Sequence, residues 1–310
     1  MESSVIQKIP VGVVGCGFFG KLHAEKYTAA PGAHLAGLYD AGQGIAQMVA
    51  EPLGTEVYTR LEDLASCISA VSIAAPARHH YELASFFLRS GVHVLVEKPI
   101  ALDLAHADEL ISLAADNNLV LQVGHQERYV FNDFGLLSHH SAPRSIHVSR
   151  VGPFTGRALD VSVVFDLMMH DLDLIHQVVS SDIVSVEASG QTVHGEYPDE
   201  VEASLIFDNG CVAKLIASRM RKERQREMKL NYHDGVIEID FTNRWIKNST
   251  NADLQSVFGG HGQNQSIADD PLGYGIGVFL DSIRAGTPTV VTGQDARRAL
   301  ETALMITAAL

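Results

Sequence analysis

The sequence has 310 residues and a mass of 33.5 kDa, which is long enough for two ordinary domains. Its 46% hydrophobic and 19% charged residues are typical of a globular protein. The formal net charge of -14, from 23 Lys+Arg against 37 Asp+Glu, argues against a surface for nucleic acid or an anionic membrane. An anionic substrate would therefore need a local basic pocket.

Cysteine and histidine usage narrows the setting further. Cys16, Cys67 and Cys211 are odd in number and scattered, which fits a reducing compartment better than a disulfide framework. The sequence has 15 histidines. Apart from the Asp166/His170 segment described below, no cluster of acidic residues and histidines has the spacing of metal ligands, so we expect no metal. We find no targeting segment and no apolar run of membrane-spanning length, and we expect a cytoplasmic protein without membrane contact.

Residues 9–122 alternate short apolar strands with helical patterns, which is typical of a parallel sheet. The continuously apolar strands indicate a sheet that is covered on both faces. Strands are predicted at 10–15, 34–39, 70–75, 92–97 and 119–123, and helices near 18–30, 43–51, 79–90 and 103–117.

From about residue 145 the pattern changes to longer, alternating strands. Asp208-Asn209-Gly210 and Asp234-Gly235 are hairpin turns, so this second sheet is predicted to be largely antiparallel. Residues 248–275 are predicted to form a long loop. The sequence ends inside an apolar helical pattern, so we expect a terminal helix that is cut short. Strands are predicted at 145–151, 183–190, 201–207, 211–218, 226–233 and 236–242, and helices from Tyr274 to Arg284 and from Gln294 onward.

A glycine-rich loop, Gly15-Cys16-Gly17-Phe18-Phe19-Gly20, follows the first strand and opens a helix. In that context G-x-G-x-x-G predicts a dinucleotide site, because the glycines let a pyrophosphate approach the helix N-terminus. Asp40, at the end of the second strand, can accept both ribose hydroxyls of adenosine. No arginine stands beside it to pair with a 2′-phosphate, which favours NAD over NADP. The alternative is a glycine-rich turn in a fold that binds no nucleotide.

Glu97-Lys98-Pro99 ends the apolar run of residues 92–96. Ligands of open α/β sheets bind beyond the carboxyl ends of the strands. Proline holds the preceding lysine out of the α region, so Lys98 should be presented to that cleft by stiff backbone. The alternative is an ordinary strand-to-loop turn.

Asp166, His170, Asp173 and Gln177 form a polar stripe at helical spacing. Met168, Leu172, Ile175 and Val179 form a neighbouring apolar stripe. An aspartate one turn before a histidine can orient the imidazole, and histidine is the usual proton acceptor near neutral pH. The alternative is a solvated helix face. The strand-like run 161–165 before the helix favours a buried location.

Together these features resemble the glucose–fructose oxidoreductase / inositol dehydrogenase / rhizopine-catabolism (Gfo/Idh/MocA) family. The resemblance implies a Rossmann domain, a doubly wound parallel sheet, at residues 1–123. It implies an α/β domain with an open, mostly antiparallel sheet at residues 124–310. It also implies hydride transfer between nicotinamide C4 and a carbinol carbon of a sugar or cyclitol. The motifs that carry it are the glycine loop, Ala75-Pro76 with His80, Gly91 to Pro99, and Asp166-x-x-x-His170-x-x-Asp173.

By this resemblance Lys98, Asp166 and His170 are the catalytic residues: His170 as the general base, Lys98 as the donor to the same oxygen, and Asp166 as the residue that fixes the tautomer. The expected NAD-binding residues are Gly15, Gly17, Phe18, Phe19, Gly20, Asp40, Ala75, Pro76, His80, Glu97, Lys98 and Gln126.

A narrower resemblance lies in the segments 124–129 and 150–153, with Arg157 and Asp160 shortly after. These resemble the branch of the family that oxidises the 3-hydroxyl of UDP-N-acetylglucosamine to a 3-keto sugar nucleotide, for transamination toward a 3-amino sugar of lipid A or another surface glycan. Arg128, Arg150 and Arg157 are candidates for the diphosphate, the alternative being ordinary salt bridges. The expected substrate-binding residues are Lys98, His125, Arg128, Arg150, Arg157 and His170.

Two other functions remain open. One is a dehydrogenase of a free sugar or inositol, against which the arginines argue. The other is a non-catalytic dinucleotide-binding regulator, which would need none of Lys98, Asp166 and His170.

The second sheet also predicts the assembly state. Its strands 201–207 and 211–218 place apolar residues on both faces, and the few remaining helices can cover only one. We therefore expect a homodimer, or a tetramer of such dimers, that packs sheet against sheet. The apolar residues are Val201, Ala203, Leu205, Ile206, Val212, Ala213, Leu215 and Ile216.

Overall fold

The computed structural model describes residues 7–136, 141–156, 159, 161–254 and 267–310. Its contacts form two compact units, Met1–Gln126 with Asp270–Arg297 and Glu127–Asp269 with Arg298–Leu310. The sequence-based division at residues 123/124 assigned everything after it to the second domain, whereas the contacts place 270–297 in the first unit. The domain boundary itself stays a prediction.

The first unit contains a six-stranded parallel sheet in the order β3-β2-β1-β4-β5-β6. This is the Rossmann strand order, and it confirms the predicted fold of this part of the chain. The two-residue β3 was not predicted, because so short a strand has no periodicity. The strands are β1 (Ile9–Val14), β2 (Ala33–Tyr39), β3 (Glu56–Val57), β4 (Ala70–Ile73), β5 (His93–Val96) and β6 (Leu121–Val123).

Helices cover this sheet, and the helix α8 belongs to the same core. Ile276 and Phe279 of α8 are buried in the hydrophobic cluster that contains Val11 and Val13 of β1. The Gln122 side chain in β6 also donates to the carbonyl of Gly275 (2.9 Å). The helices are α1 (Phe18–Ala29), α2 (Gln43–Leu53), α3 (Leu61–Cys67), α4 (His80–Arg89), α5 (Leu104–Asp116) and α8 (Pro271–Ala285).

The start of α8 corrects the predicted loop over 248–275. Asp270 caps the helix by accepting from the Gly273 amide (3.0 Å), and Pro271 occupies its first turn, so the helix begins three residues before Tyr274. Residues 255–266 of the predicted loop lie outside the described residues.

The second unit contains a seven-stranded sheet in the order β13-β12-β11-β7-β10-β9-β8. All neighbouring pairs are antiparallel except β7 and β10, which confirms a mostly antiparallel sheet. The two predicted turns join β9 to β10 and β11 to β12. The strands are β7 (Ser145–Val151), β8 (Ile183–Gln191), β9 (Glu200–Phe207), β10 (Val212–Ser218), β11 (Gln225–Asn231), β12 (Val236–Asp240) and β13 (Trp245–Asn248).

The two faces of this sheet differ more than predicted. Along β9 and β10 the residues Val201, Ala203, Leu205, Ala213 and Leu215 are buried on one face. The other face alternates apolar with charged or polar side chains, so it is mixed rather than bare apolar surface. Its residues on these strands include Glu202, Ser204, Ile206, Val212, Lys214 and Ile216.

The strand-like run at residues 161–165 is buried, as expected, but it does not form a strand. Val164–Met168 form a π-helix that leads directly into α7 (Met169–Val178). Val163, Val164 and Met168 are all fully buried. Their burial on one side of the helical segment outweighs the strand preference of β-branched residues. Two further helices are α6 (Glu127–Asp133) and α9 (Gly293–Ala308).

Candidate active site

In the first unit, the glycine loop is fixed by backbone contacts that only glycine allows. Gly15 has φ +86°, and a Cβ there would lie 2.6 Å from the Ala75 amide nitrogen. A Cβ on Gly20 would lie 1.6 Å from the Gly15 carbonyl oxygen, so α1 starts directly against the loop. The loop therefore follows β1 beside the end of β4, where the strand order reverses and ligands of this fold bind.

Gly17 differs from these two glycines because a Cβ there would meet no protein atom within 4 Å. It precedes α1, whose first turn holds no acidic residue and no side-chain cap. No acidic side chain of the first turn of α1 therefore competes for the amide groups at this helix end. Such an end attracts an anion, so the loop fits the pyrophosphate of a dinucleotide.

Asp40 ties the end of β2 to the same loop. Its Oδ2 accepts from the Cys16 amide (2.7 Å), and its Oδ1 accepts from the Gly42 amide (2.7 Å). Each carboxylate oxygen has a second acceptor position, which suits two ribose hydroxyls. Burial and the adjacent Asp40 raise the pKa of the Cys16 thiol to about 12, so this cysteine stays neutral beside the pyrophosphate position.

His80 braces the ends of two strands. It is buried, with Nδ1 2.6 Å from the carbonyl oxygen of Pro99 and Nε2 2.8 Å from that of Ala75. Burial lowers the pKa of His80, although both carbonyls favour its protonated form. The imidazole thus connects the turn after β4 to the turn after β5. Its contact with the dinucleotide, like that of Pro76, stays a prediction.

Glu97 ends a buried chain of polar side chains in the first unit. Its Oε1 accepts from His23 Nε2 (2.9 Å) and from Gln126 Nε2 (3.4 Å). His23 Nδ1 lies 3.1 Å from the hydroxyl of Ser72, which lies 2.8 Å from that of Tyr27. The structure therefore brings Glu97 and Gln126 together and supports them from α1 and β4.

The charge of Glu97 is held beside Lys98. Burial raises the pKa of Glu97. The hydrogen bond from His23 and the charges of His23, Lys98 and His80 lower it, and together they outweigh burial, so the pKa lies below its usual value. A Cβ on Gly124 would lie 2.7 Å from this carboxyl group, so any larger residue there would displace the Glu97 side chain. Lys98 is half-buried, and the Lys98–Pro99 peptide bond is cis.

Sequence reasoning did not identify His23, Ser72 and Tyr27. A signal was present in α1, where Gly20, His23, Ala24 and Tyr27 are the buried residues. This i, i+3, i+4, i+7 spacing marks the core-facing stripe of a helix. Two polar side chains on such a stripe indicate a buried hydrogen-bonded network.

In the second unit, Asp166 and His170 lie on consecutive helical segments. Asp166 is in the π-helix and His170 is in the first turn of α7, and both are half-buried. Single π-helical turns occur often at functional sites. Residues 171–176 of α7 are buried, so the helix does not form a solvated face. The expectation that Asp166 orients His170 stays a prediction.

Arg128 and Arg150, which were expected at the diphosphate, pair with carboxylates of the second unit, and their role toward a substrate stays a prediction. Arg128 is buried and donates Nε to Asp173 Oδ2 (2.8 Å), with a second bond from Nη2 to the same carboxylate. Arg150 is buried and donates to Asp171 (Nε–Oδ2, 2.8 Å) and to Glu127 (Nη1–Oε1, 2.8 Å). Both guanidinium groups thus form charge-assisted hydrogen bonds with buried protein carboxylates, which is the salt-bridge alternative that the sequence left open.

Burial lowers the pKa of Arg150, but Asp171 and Glu127 outweigh burial and raise it, so this arginine stays charged.

The other site residues predicted from the sequence lie in different parts of the chain. His125 is buried in the first unit, and its contact with substrate stays a prediction. Arg157 and Asp160 lie outside the described residues. Phe18 and Phe19 are exposed at the start of α1, with their rings 5.5 Å apart.

Two features are lacking among residues 7–136, 141–156, 159, 161–254 and 267–310. Within them, no group of three or more His, Cys, Asp or Glu could hold a metal ion. No helix among those residues is long and apolar enough to cross a membrane.

Comparison with known proteins agrees with this geometry. Residues 9–125 match the Gfo/Idh/MocA model described as an oxidoreductase family with an NAD-binding Rossmann fold, and residues 137–246 match the C-terminal domain of the same family. The chain therefore belongs to the Gfo/Idh/MocA family, and it is an oxidoreductase that uses NAD.

Within this family the chain is similar to UDP-N-acetylglucosamine 3-dehydrogenase of Acidithiobacillus ferrooxidans, with 34% identity over 96% of both chains. A crystal form of that enzyme gives a TM-score of 0.89 over 98% of both chains. Inositol 2-dehydrogenase of Rhizobium meliloti is 26% identical over 68% of each chain. GenD2 of gentamicin A biosynthesis, solved with NAD, shares the fold with a TM-score of 0.84 at 23% identity, over 100% of this chain and 96% of its own.

Proposed function

We propose that this protein oxidises the 3-hydroxyl of UDP-N-acetylglucosamine to the 3-keto sugar nucleotide. The observation that carries this proposal is the near end-to-end similarity to a UDP-N-acetylglucosamine 3-dehydrogenase, over 96% of both chains. The similarity to the inositol dehydrogenase of Rhizobium meliloti is lower and covers 68% of each chain.

The proposed roles follow the chemistry of alcohol oxidation. NAD, when bound, accepts the hydride from the carbinol carbon. His170 takes the hydroxyl proton as the general base, so that the C–O bond becomes a carbonyl. The Lys98 ammonium donates to the same oxygen and stabilises its developing negative charge. Asp166 fixes the histidine tautomer as a positioning residue.

The buried carboxylate of Glu97 supports this role for Lys98. The charge of Lys98 is one of those that lower the pKa of Glu97, so the ionised carboxylate lies close enough to interact with the ammonium group. The His23 hydrogen bond holds that carboxylate in place. A non-catalytic regulator would need no such arrangement. We therefore rank that alternative below a dehydrogenase of a free sugar or inositol.

We further propose a homodimer, or a tetramer of such dimers, formed through the open face of the second sheet. Ile206, Val212 and Ile216 supply apolar area on that face, and Glu202 and Lys214 can pair across a two-fold axis. A light-scattering mass near 33.5 kDa would contradict this assembly.

We place the reaction in the cytoplasm, where the product would be transaminated toward a 3-amino sugar of lipid A or another glycan. The cysteines Cys16, Cys67 and Cys211, all unbridged, are consistent with a reducing compartment.

A substrate panel tests the proposed reaction. Purified protein and NAD are incubated with UDP-N-acetylglucosamine, UDP-N-acetylgalactosamine, free N-acetylglucosamine and myo-inositol, and reduced cofactor is followed by absorbance. We expect the highest kcat/KM with UDP-N-acetylglucosamine. Borodeuteride reduction of the product, followed by NMR, should place deuterium at C3. Preferred turnover of myo-inositol or the free sugar would contradict the proposal.

A further inference from the structure

A strongly basic segment connects β10 to β11 in the second unit. Residues 219–226 read Arg-Met-Arg-Lys-Glu-Arg-Gln-Arg, which is five positive charges and one negative. The whole chain has a net charge of -14, so this segment opposes the overall charge. The segment includes none of the residues expected to bind NAD and none of the residues proposed for proton transfer.

The segment has a defined position beside the end of β7. The Gly152 amide donates to the carbonyl of Ser218 (2.9 Å), and the Arg221 amide donates to the carbonyl of Gly152 (3.0 Å). Arg219 is buried and pairs with Asp199 (2.5 Å), while Arg221 pairs with Glu200 (2.9 Å). Three positive side chains follow: Lys222 and Arg224 are exposed, and Arg226 is half-buried.

Arg226 occupies an electrostatically unfavourable place. It is the direct cross-strand neighbour of Arg150 in the pairing of β11 with β7. Like charges directly opposite each other destabilise a sheet. Both arginines approach the same Glu127 oxygen, at 2.8 Å for Arg150 and 3.6 Å for Arg226. Burial, Arg150 and Arg224 lower the pKa of Arg226 more than Glu127 and Asp171 raise it.

Positive charge is therefore in excess at this edge of the second unit. Among the described residues, Arg150 and Arg224 repel the charge of Arg226, and Glu127 and Asp171 attract it, so three positive charges and two negative ones interact around this guanidinium group. An anion would offset the surplus. The surplus is also linked to the helix that carries His170, because Asp171, bound by Arg150, is the next residue along α7.

We infer that Lys222, Arg224 and Arg226 bind the diphosphate of a nucleotide-sugar substrate. The inference rests on the proposed function and names the residues that recognise the charged part of that substrate. Guanidinium forks match phosphate oxygens bidentately, and the exposed Lys222 adds a point charge. The buried Arg150 acts as a positioning residue, since it holds Glu127 and Asp171 next to Arg226. Inositol or a free sugar carries no charge that this group could neutralise.

Binding of UDP alone tests the inference without turnover. Arg224→Gln removes an exposed charge, and Arg224→Gln/Arg226→Gln removes both guanidinium groups. Arg89→Gln is the matched control: it removes one exposed positive charge from α4, where Arg89 pairs with Glu109 (2.6 Å). Calorimetry measures the Kd for UDP and for NAD, and kinetics measure KM and kcat for UDP-N-acetylglucosamine.

We expect the double variant to raise the Kd for UDP and the KM for the sugar nucleotide by about ten-fold or more, with Arg224→Gln showing a smaller rise. The Kd for NAD and kcat should stay within about two-fold, which separates this diphosphate from that of the cofactor. The slope of log Kd for UDP against log salt should become shallower. Arg89→Gln should match the unmodified protein.

The outcomes separate this inference from the proposed reaction. If the unmodified protein oxidises UDP-N-acetylglucosamine while both variants bind UDP unchanged, the inference is overturned and the reaction stands. If UDP binds and the variants lose it, but UDP-N-acetylglucosamine is not oxidised, the inference stands and the proposed reaction fails. Absence of UDP binding by the unmodified protein overturns the inference. Arg224→Gln removes only an exposed side chain, so its result does not depend on the folding of the double variant.

Discussion

The two units present their functional groups in opposite ways. In the first, the cofactor loop works through backbone: Gly15 and Gly20 allow close approach, and Gly17 leaves amide groups accessible. In the second, the polar groups are charged side chains, and their roles depend on which carboxylate each arginine meets. Backbone function is readable from local sequence because it depends on glycine positions, whereas side-chain function depends on partners far along the chain.

The strongest test of this difference removes a buried charge from the second unit. Arg150→Met should lower the free energy of unfolding by about 3–5 kcal/mol, because Asp171 and Glu127 lose their buried partner. Arg60→Met is the control, since the exposed Arg60–Glu62 pair should contribute at most about 1 kcal/mol. Urea denaturation, followed by fluorescence and circular dichroism, measures both. Equal, small losses of unfolding free energy in the two variants would show that the buried ion pairs contribute no more to stability than an exposed pair.

The proposed catalytic residues Lys98 and His170 belong to different units, and replacing either by alanine should lower kcat by a similar factor. Lys98→Ala and His170→Ala should each lower kcat by about 10²-fold or more, equivalent to about 2.7 kcal/mol, while NAD binding persists. Both changes act on the hydroxyl that reacts and not on adenosine. Exposed residues of the same types, in Lys8→Ala and His34→Ala, serve as controls. Near-full turnover of either catalytic variant would refute the assigned chemistry.

Low pH should reduce the stability of the protein through a buried histidine of the second unit, His176. Burial and the nearby Arg298 lower the pKa of His176 to about 4, and its Nε2 lies 2.8 Å from the Thr302 hydroxyl. The unfolded chain binds this proton near pH 6.5, so the stability contribution is complete above pH 6.5 and is lost as pH falls toward 4.

The destabilisation caused by His176→Gln should accordingly shrink by about 2 kcal/mol between pH 7 and pH 4.5. Denaturation of both proteins at each pH measures the difference, and groups that titrate identically in both cancel. A pH-independent difference would mean that His176 does not titrate in this way.

The smallest expected effect concerns the first unit. The unmodified protein should bind NAD more tightly than NADP, because the Asp40 carboxylate repels a 2′-phosphate. Asp40→Asn keeps an acceptor for one loop amide but removes the negative charge. The preference for NAD, measured as the Kd for NADP divided by the Kd for NAD, should therefore fall by about ten-fold. Asp63→Asn, at an exposed helix position, is the control. Tighter binding of NADP by the unmodified protein would overturn the assignment.

Much of the first unit was predictable because its signals are local. The strand before Gly15, the helix after Gly17 and the strand that ends at Asp40 each follow from periodicity and turn chemistry within about ten residues. The exceptions are the two-residue β3 and the seven-residue α3, both too short for periodicity to indicate.

The partners of buried polar groups could not be predicted. His23 meets Glu97 across 74 residues, and Arg128 meets Asp173 across 45. Only the folded chain decides these pairings, because several carboxylates could satisfy the same cation. The π-helix at 164–168 escaped prediction for a related reason. Val161, Val163 and Val164, at and just before its start, give this run the composition of a strand, and the burial of Val163 and Val164 is a tertiary effect.

The place of α8 has a consequence for synthesis on the ribosome. The nucleotide-binding core includes Ile276 and Phe279, so it cannot close until residues 270–297 have emerged. Residues 127–269, which belong to the other unit, emerge first. Residues 298–310, which belong to that other unit, emerge after α8, so both units stay incomplete while residues 127–269 are made. A nascent chain halted before residue 270 should expose the apolar surface of β1 and α1 that α8 covers.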